Sequence, residues 1–108
     1  MRAFDLEELV ARRQEQSDLY LEFLRVPDFS LGVYLLPAGG HDPQQPHAED
    51  EVYFIAAGKG MIDVDGENRD ADAGSIVYVP AGVPHHFHTI EEDLVVLVLF
   101  APAESTPA

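Results

Sequence analysis

The chain has 108 residues, of which 46% are hydrophobic, enough for one folded domain with a sealed core. Twenty acidic residues against six basic ones give a formal net charge of -14, which argues against nucleic acids and anionic membrane surfaces as partners. The absence of cysteine excludes disulfides and thiolate metal ligands. No signal-peptide pattern or membrane-spanning run is apparent, so the cytoplasm is the expected location.

A short helix is predicted over residues 5–16, within an N-terminal segment 1–18. Asp5 and Glu8 have the spacing of a capping box, and Leu9 belongs to an apolar series at helical intervals. We expect this helix to be a lid over the domain or a packing element against it.

From residue 19 the pattern becomes extended and predicts an all-β domain. Runs rich in branched and aromatic residues, bounded by glycine and proline, predict strands at 19–26, 29–36, 53–57, 60–64, 75–79, 83–89 and 94–100. Asp65-Gly66 is the strongest hairpin signal in the chain. Seven or eight short strands favour a sandwich or barrel over 19–100, followed by a flexible tail at 101–108.

The polar chemistry begins in the run 39–58. Alternate side chains of a strand share a face, so a strand here would point Gln45 and His47 the same way and keep Glu51 at the same parity. Convergent nitrogen and oxygen donors on one rigid face are what a metal ion needs. This run therefore predicts one wall of a metal pocket.

The second polar run, 74–88, holds three of the five histidines. His85 shares its parity with Phe87, whereas His86 and His88 take the opposite face and favour surface or interface roles. A ligand from this strand would complete a site of nitrogen and oxygen donors. Such a site suits one divalent transition metal, namely Fe(II), Mn(II), Ni(II), Co(II) or Zn(II).

The two runs resemble the cupin superfamily of small β-barrels. Its first motif, G(X)5HXH(X)3-4E(X)6G, is matched in spacing by Gly39, Gln45-Pro46-His47, Glu51 and Gly58. Its second motif, G(X)5PXG(X)2H(X)3N, is matched by Gly74, Pro80, Gly82 and His85. The resemblance implies a double-stranded β-helix, or jelly-roll barrel, as the single domain of residues 1–108.

The resemblance also implies a metal site, with His47, Glu51 and His85 as ligands. Two residues depart from the motifs, since Gln45 stands where the first metal histidine belongs and Thr89 stands in place of the final asparagine. The amide oxygen of Gln45 is a weaker donor than imidazole. Gln45 therefore either completes the ligand set or hydrogen-bonds a water in the fourth position.

Other residues are candidates for the walls of the pocket. Tyr53 and Phe87 share faces with the expected ligands, so they either line the pocket or belong to the core. His41 either replaces the missing imidazole or remains an exposed loop histidine. Glu49 either forms part of a solvated acidic rim or transfers protons.

The resemblance leaves the function open, because cupins carry out many activities on one fold. The expected function is a metal-binding cupin that holds a small organic ligand, as a dioxygenase or an isomerase or lyase. A non-catalytic binding or sensing module, for example for a sugar-like ligand, and a metal-free structural barrel are the alternatives. Unprotected sheet edges further predict a homodimer.

Overall fold

The computed structural model describes residues 1–105 and shows one short helix and six strands. In chain order they are α1 (Leu6–Gln14), β1 (Tyr20–Val26), β2 (Phe29–Leu36), β3 (Asp50–Val64), β4 (Glu67–Asp70), β5 (Ile76–Val79) and β6 (His85–Ala101). The predicted all-β class is confirmed. Six strands form instead of the expected seven or eight. The predicted strands 53–57 and 60–64 are parts of β3, and 83–89 and 94–100 are parts of β6. β4 is the one strand that the pattern did not predict.

All six strands belong to one sheet, and every pairing in it is antiparallel. β6 lies between β2 and β3, β1 continues the sheet beyond β2, and both β4 and β5 pair with β3. The ladder between β3 and β6 shifts register three times between Ile55 and Met61. Extra residues bend and twist a strand. Both strands can therefore be long while the sheet curls around its core.

The predicted hairpin at Asp65-Gly66 is confirmed. Both residues have positive φ, 53° and 87°, as a two-residue turn between twisted strands requires. The turn connects β3 to β4, and the register pairs Val64 with Glu67. β4 itself consists of four exposed polar residues, so it lacks the apolar pattern that would predict a strand.

β2 is buried on both faces, and this divides the apolar residues into two clusters. Tyr34 and Leu36 join the main core, which includes Ile55, Ile62 and Phe87. Val33 and Leu35, at the alternate positions, pack with Leu9 of α1 in a smaller cluster on the other face of the sheet. The helix is therefore a packing element on the outside of the barrel. Burying Leu9 there contributes about 2 kcal/mol.

The ends of α1 differ in detail from the prediction. The helix covers Leu6–Gln14 rather than 5–16, and the side chain of the N-cap residue Asp5 makes no capping hydrogen bond. The predicted capping box is therefore not formed. The carbonyl of Asp5 instead accepts the first helical hydrogen bond, from the Leu9 N–H at 3.1 Å.

The segment after β6 is more ordered than the sequence suggests. Glu104 is buried, and its backbone N–H donates to the Ser30 hydroxyl at 3.0 Å. Arg25 donates to the Glu104 carbonyl at 2.6 Å. The part of the predicted flexible tail at 102–105 thus lies against the barrel, and residues 106–108 fall outside the described residues. Within residues 1–105, no helix is both long and apolar enough to cross a membrane.

Gly58, where β3 bends, is expected to tolerate no side chain. Its φ is +102°, and a Cβ would overlap the backbone carbonyl of Asp93. We expect Gly58→Ala to lower the free energy of unfolding by about 3 kcal/mol, the sum of backbone strain and a clash that no rotamer relieves. Urea denaturation measures the change.

Gly74 provides a matched control for that substitution. Its φ of +95° is nearly the same, but a Cβ there would meet no atom within 4 Å. Gly74→Ala should therefore cost only the strain, about 1 kcal/mol. If both variants lost the same free energy of unfolding, the overlap with the Asp93 carbonyl at residue 58 would contribute nothing to the loss.

Candidate functional site

The segment between β2 and β3 reaches the site as an irregular loop, not as a strand. Residues 41–49 lie outside every strand, although Gln45 and His47 were expected to alternate along one. Pro43 and Pro46 explain the difference, because neither offers a backbone N–H for a sheet ladder. The parity argument for Gln45 and His47 is therefore wrong. Their positions depend on how this loop is attached to the barrel.

Asp42 attaches the loop to the barrel. Its buried carboxylate accepts hydrogen bonds from the Tyr34 hydroxyl at 2.5 Å and from the Phe87 N–H at 2.8 Å. Gln44 adds two more bonds, from its N–H at 3.2 Å and from its side-chain amide at 2.8 Å. One side chain thus joins β2, β6 and the loop. Sequence reasoning missed Asp42 because these partners are up to 45 positions away.

Three of the four predicted ligands converge at this end of the barrel. The His47 Nε2 lies 3.1 Å from Oε1 of Glu51, and the His85 Nε2 lies 3.0 Å from Oε2 of the same carboxylate. One ligand atom from each residue lies within 4.8 Å of the others. These distances are short, yet His47 Nε2, His85 Nε2 and Glu51 Oε1 are all buried without a hydrogen-bond partner in the described structure.

The other ring nitrogens indicate which tautomer the two histidines adopt. The His85 Nδ1 lies 2.9 Å from the Val83 carbonyl, and a carbonyl can only accept, so Nδ1 carries the proton. The His47 Nδ1 faces a Glu104 carboxylate oxygen at 3.4 Å, which favours the same tautomer. When neutral, each ring therefore points an Nε2 lone pair at Glu51. Lone pairs and a carboxylate converging on one point require a cation between them.

A proton or a divalent metal ion can meet that requirement. Burial lowers the pKa of His85, but the adjacent Glu51 carboxylate and the Val83 carbonyl raise it by more, so the net shift is upward. A proton on His85 would satisfy only one of the two rings. Two imidazoles and one carboxylate fit a divalent transition metal, with the His85 Nδ1 bonded to a carbonyl and the His47 Nδ1 facing a carboxylate.

The Tyr53 hydroxyl holds Glu51 in place, with Gln44 on its other side. The buried Tyr53 hydroxyl lies 2.7 Å from Oε2 of Glu51 and 2.9 Å from the Gln44 side-chain oxygen. A hydroxyl has one proton to donate, and the shorter contact to a carboxylate is the stronger one. Burial, reinforced by the Glu51 charge, raises the pKa of Tyr53. The phenol therefore remains a donor to Glu51, and Gln44 is a second residue that sequence reasoning missed.

The remaining predicted residues are distributed around the site. Gln45 and His41 are exposed and line a cavity of about 320 Å³, which His85 also borders. Phe87 is buried in the core, with its ring 5.1 Å from that of Tyr53. The predicted alternation along this strand is confirmed, because His85 and Phe87 are buried whereas His86 is exposed.

A second cavity, of about 810 Å³, opens on the His47 side of the site. Its acidic residues include Glu49, which is buried rather than part of a solvated rim, and Glu104. Glu49 accepts hydrogen bonds from the backbone N–H and the hydroxyl of Ser105, at 3.2 and 2.6 Å. Burial, with Glu49 the next contributor, raises the pKa of Glu104 to about 7. Sequence reasoning missed Glu104 because it was assigned to the flexible tail.

Comparison with known proteins supports the family resemblance. The cupin-domain family model matches residues 32–100. An uncharacterised protein of Streptomyces coelicolor is 53% identical over 105 residues, covering 97% of this chain and all of that protein. The dimethylsulfoniopropionate lyase DddQ of Ruegeria pomeroyi is 35% identical over 74 residues, covering 66% of this chain but only 37% of the lyase.

The fold is shared with solved structures at lower sequence identity. The crystal structure of TT1209 from Thermus thermophilus superposes with a TM-score of 0.75 at 24% identity, covering 95% of this chain and 99% of that protein. The antiparallel sheet and the family-model match over residues 32–100 lead to the same assignment. This chain belongs to the cupin family.

Proposed function

We propose that this cupin holds one divalent transition metal with His47, Glu51 and His85 and acts on a small organic ligand bound in the adjacent cleft. The observation that carries the proposal is the convergence of two imidazole Nε2 atoms and a carboxylate oxygen, buried and without partners. Charged and polar groups are buried in this way only when they are paired or coordinate an ion.

A bound metal would supply Lewis-acid chemistry, because it polarises an oxygen of the ligand. The residues of this chain do the rest. Glu51 provides negative charge, and its position is fixed by the Tyr53 hydroxyl. The Val83 carbonyl and the Glu104 carboxylate orient the two histidine rings. The buried aromatic rings of Tyr53 and Phe100 exclude water from the inner side of the site.

Gln45 is the candidate for a further position on the metal. It borders both cavities, so its side chain has access to the open side of the site. Its amide oxygen either coordinates directly or accepts a hydrogen bond from a water held there. An octahedral ion keeps positions free for a ligand whether the protein supplies three donors or, with Gln45, four.

Isomerase or lyase chemistry is the reaction class we favour. The similarity to a lyase that acts on a small organic molecule supports this choice. Dioxygenation is the second candidate, because two histidines and one carboxylate form the ligand triad of many non-haem iron oxygenases. The same donor set serves both, so the identity of the bound metal distinguishes them: iron favours dioxygenation, whereas zinc, which has no redox chemistry, favours a lyase or isomerase.

The first experiment is elemental analysis of protein purified without an affinity tag and dialysed against a weak chelator. We expect about one equivalent of iron, manganese, nickel, cobalt or zinc per chain. The variant Gln45→His should retain metal more tightly, because imidazole is the better donor. No metal in either protein would contradict the proposal and leave a structural barrel. Metal without turnover of any screened substrate would favour a binding or sensing module.

A homodimer remains a prediction. The outer surface of β5 and the neighbouring part of β3 carry the exposed apolar residues Phe54, Ile76 and Tyr78. Among residues 1–105, β5 pairs with β3 alone. An unpaired edge beside an apolar surface favours association. Light scattering at micromolar concentration should give twice the 11.9 kDa chain mass, and a monomeric mass would refute the prediction.

A further inference from the structure

The large cleft beside His47 combines negative charge with aromatic rings. Its volume is about 810 Å³, and its acidic side chains are Asp18, Glu22, Glu49 and Glu104. The aromatic side chains of Tyr20, Tyr34 and Phe100 also line it. None of the lining residues in the described part of the chain is a lysine or arginine. A cleft of this composition discriminates between ligands by their charge.

We propose that the cleft binds a small organic cation of the quaternary ammonium type and disfavours anions. The inference deepens the proposed function, because it names the ligand class of the same site. The cleft and the metal-binding group share His47, so a ligand in the cleft lies beside the residues proposed to hold the metal.

The aromatic residues provide the contact surface for such a cation. The ring of Tyr20 lies 6.4 Å from that of Tyr34 at 66°, and 6.0 Å from that of Phe100 at 83°. The three rings therefore pack edge to face on one side of the cleft, and alkylated cations are attracted to aromatic faces. Gly32 makes the position of Tyr20 possible, because a Cβ at residue 32 would overlap the tyrosine ring.

The carboxylates provide the charge. Glu49 is buried, so its negative charge is poorly screened. Glu22 is paired with Arg25 at 2.9 Å and contributes less. A divalent ion with Glu51 would leave one positive charge at the inner end of the cleft. A ligand with an oxygen at one end and a cationic group at the other would therefore place the oxygen at the metal and the cation among the rings.

Three probes of nearly the same shape test the inference. Choline carries a positive charge, 3,3-dimethyl-1-butanol is its neutral carbon analogue, and 3,3-dimethylbutanoate is an anion. We would titrate each by calorimetry into metal-loaded and metal-free protein at about 150 mM salt, where long-range effects of the net charge are screened. Choline should bind at least about tenfold more tightly than the alcohol, and in metal-free protein, where no ion can coordinate its carboxylate, the anion should bind most weakly.

Two pairs of variants locate the effect in the cleft. Tyr20→Leu should weaken choline binding by about 5- to 30-fold and leave binding of the neutral alcohol within about twofold, because only the cation uses the ring face. Tyr78→Leu, at an exposed position on β5, should change neither. Glu22→Gln should weaken choline binding by about two- to threefold. Glu67→Gln in exposed β4 removes the same charge and should have no effect.

The outcomes separate this inference from the proposed function. Equal binding of choline and the alcohol, or tighter binding of the anion by the metal-free protein, would overturn the inference even if the protein holds its metal. Preference for choline in a protein that retains no metal would support the inference and refute the proposed metal site. Should Tyr20→Leu fail to fold, the Glu22→Gln and Glu67→Gln pair still decides whether the cleft recognises the cation.

Discussion

Replacing Glu51 with glutamine is expected to abolish metal retention without unfolding the protein. The carboxylate is 1% exposed and lies 3.0 to 3.1 Å from both histidine Nε2 atoms, so it supplies the only negative charge among the three converging groups. A neutral amide has nearly the same shape but a weaker oxygen donor. We expect metal affinity to fall by at least about 100-fold, measured by elemental analysis after dialysis and by competition with a chelator.

The thermal stability of the same variant should separate metal binding from folding. Metal at 100 times its dissociation constant stabilises the wild-type protein by about 2.7 kcal/mol. That corresponds to a rise in Tm of roughly 10 °C or more for a domain of this size. The Glu51→Gln protein should show no such rise. Its metal-free Tm should equal or exceed that of the wild type, because an amide can donate a hydrogen bond to a histidine lone pair.

Glu67→Gln is the control, since it removes one charge from an exposed position on β4. It should retain both the metal and the metal-dependent rise in Tm. If Glu51→Gln retained a full equivalent of metal through dialysis, Glu51 would not be a ligand. The convergence of the three residues would then be a feature of the core alone.

Replacing Asp42 with alanine is expected to be the most destabilising single change near the site. Four hydrogen bonds end on this buried carboxylate, and two of the donors, the Tyr34 hydroxyl and the Phe87 N–H, are in the barrel wall. Each buried donor left without a partner costs about 1–3 kcal/mol. We expect a loss of about 3–5 kcal/mol in the free energy of unfolding by urea denaturation.

Removal of the Asp42 side chain should also affect the site, because Asp42 holds both Gln44 and the start of β6, where His85 lies. Asp93→Ala is a useful control, since that carboxylate also binds a backbone N–H, of Ala38 at 2.8 Å, but in an exposed position. Water can replace that bond, so the cost should be under about 1 kcal/mol. Similar stabilities for the two alanine variants would contradict the role assigned to Asp42.

Some of the fold follows from the sequence alone. The hairpin at Asp65-Gly66 is encoded locally, because two residues with positive φ suit Asp and Gly. The bounds of β2 were predicted as 29–36 and are found there, since proline residues flank that apolar run. The motif spacing likewise brought His47, Glu51 and His85 together as candidates, and the structure places them around one point.

Other features depend on contacts between distant parts of the chain. The local pattern divided β3 into two strands at Gly58, whereas pairing with β6 keeps it continuous through three register shifts. No local signal distinguishes Asp42 from the other acidic residues, because its role depends on Tyr34 and Phe87, which meet it only in the folded barrel.

Residues 102–105 also depend on contacts that the local sequence does not predict. A Pro/Ala-rich segment resembles a flexible tail, yet Glu104 is buried because Ser30 and Arg25, 74 and 79 positions earlier, satisfy its backbone groups. The sequence by itself therefore determined the all-β class, the bounds of β2, the turn and the residues that form the candidate metal site. The tertiary structure alone decided which hydrogen bonds orient those residues and which acidic and aromatic side chains line the cleft beside them, because these contacts join segments that are far apart in sequence.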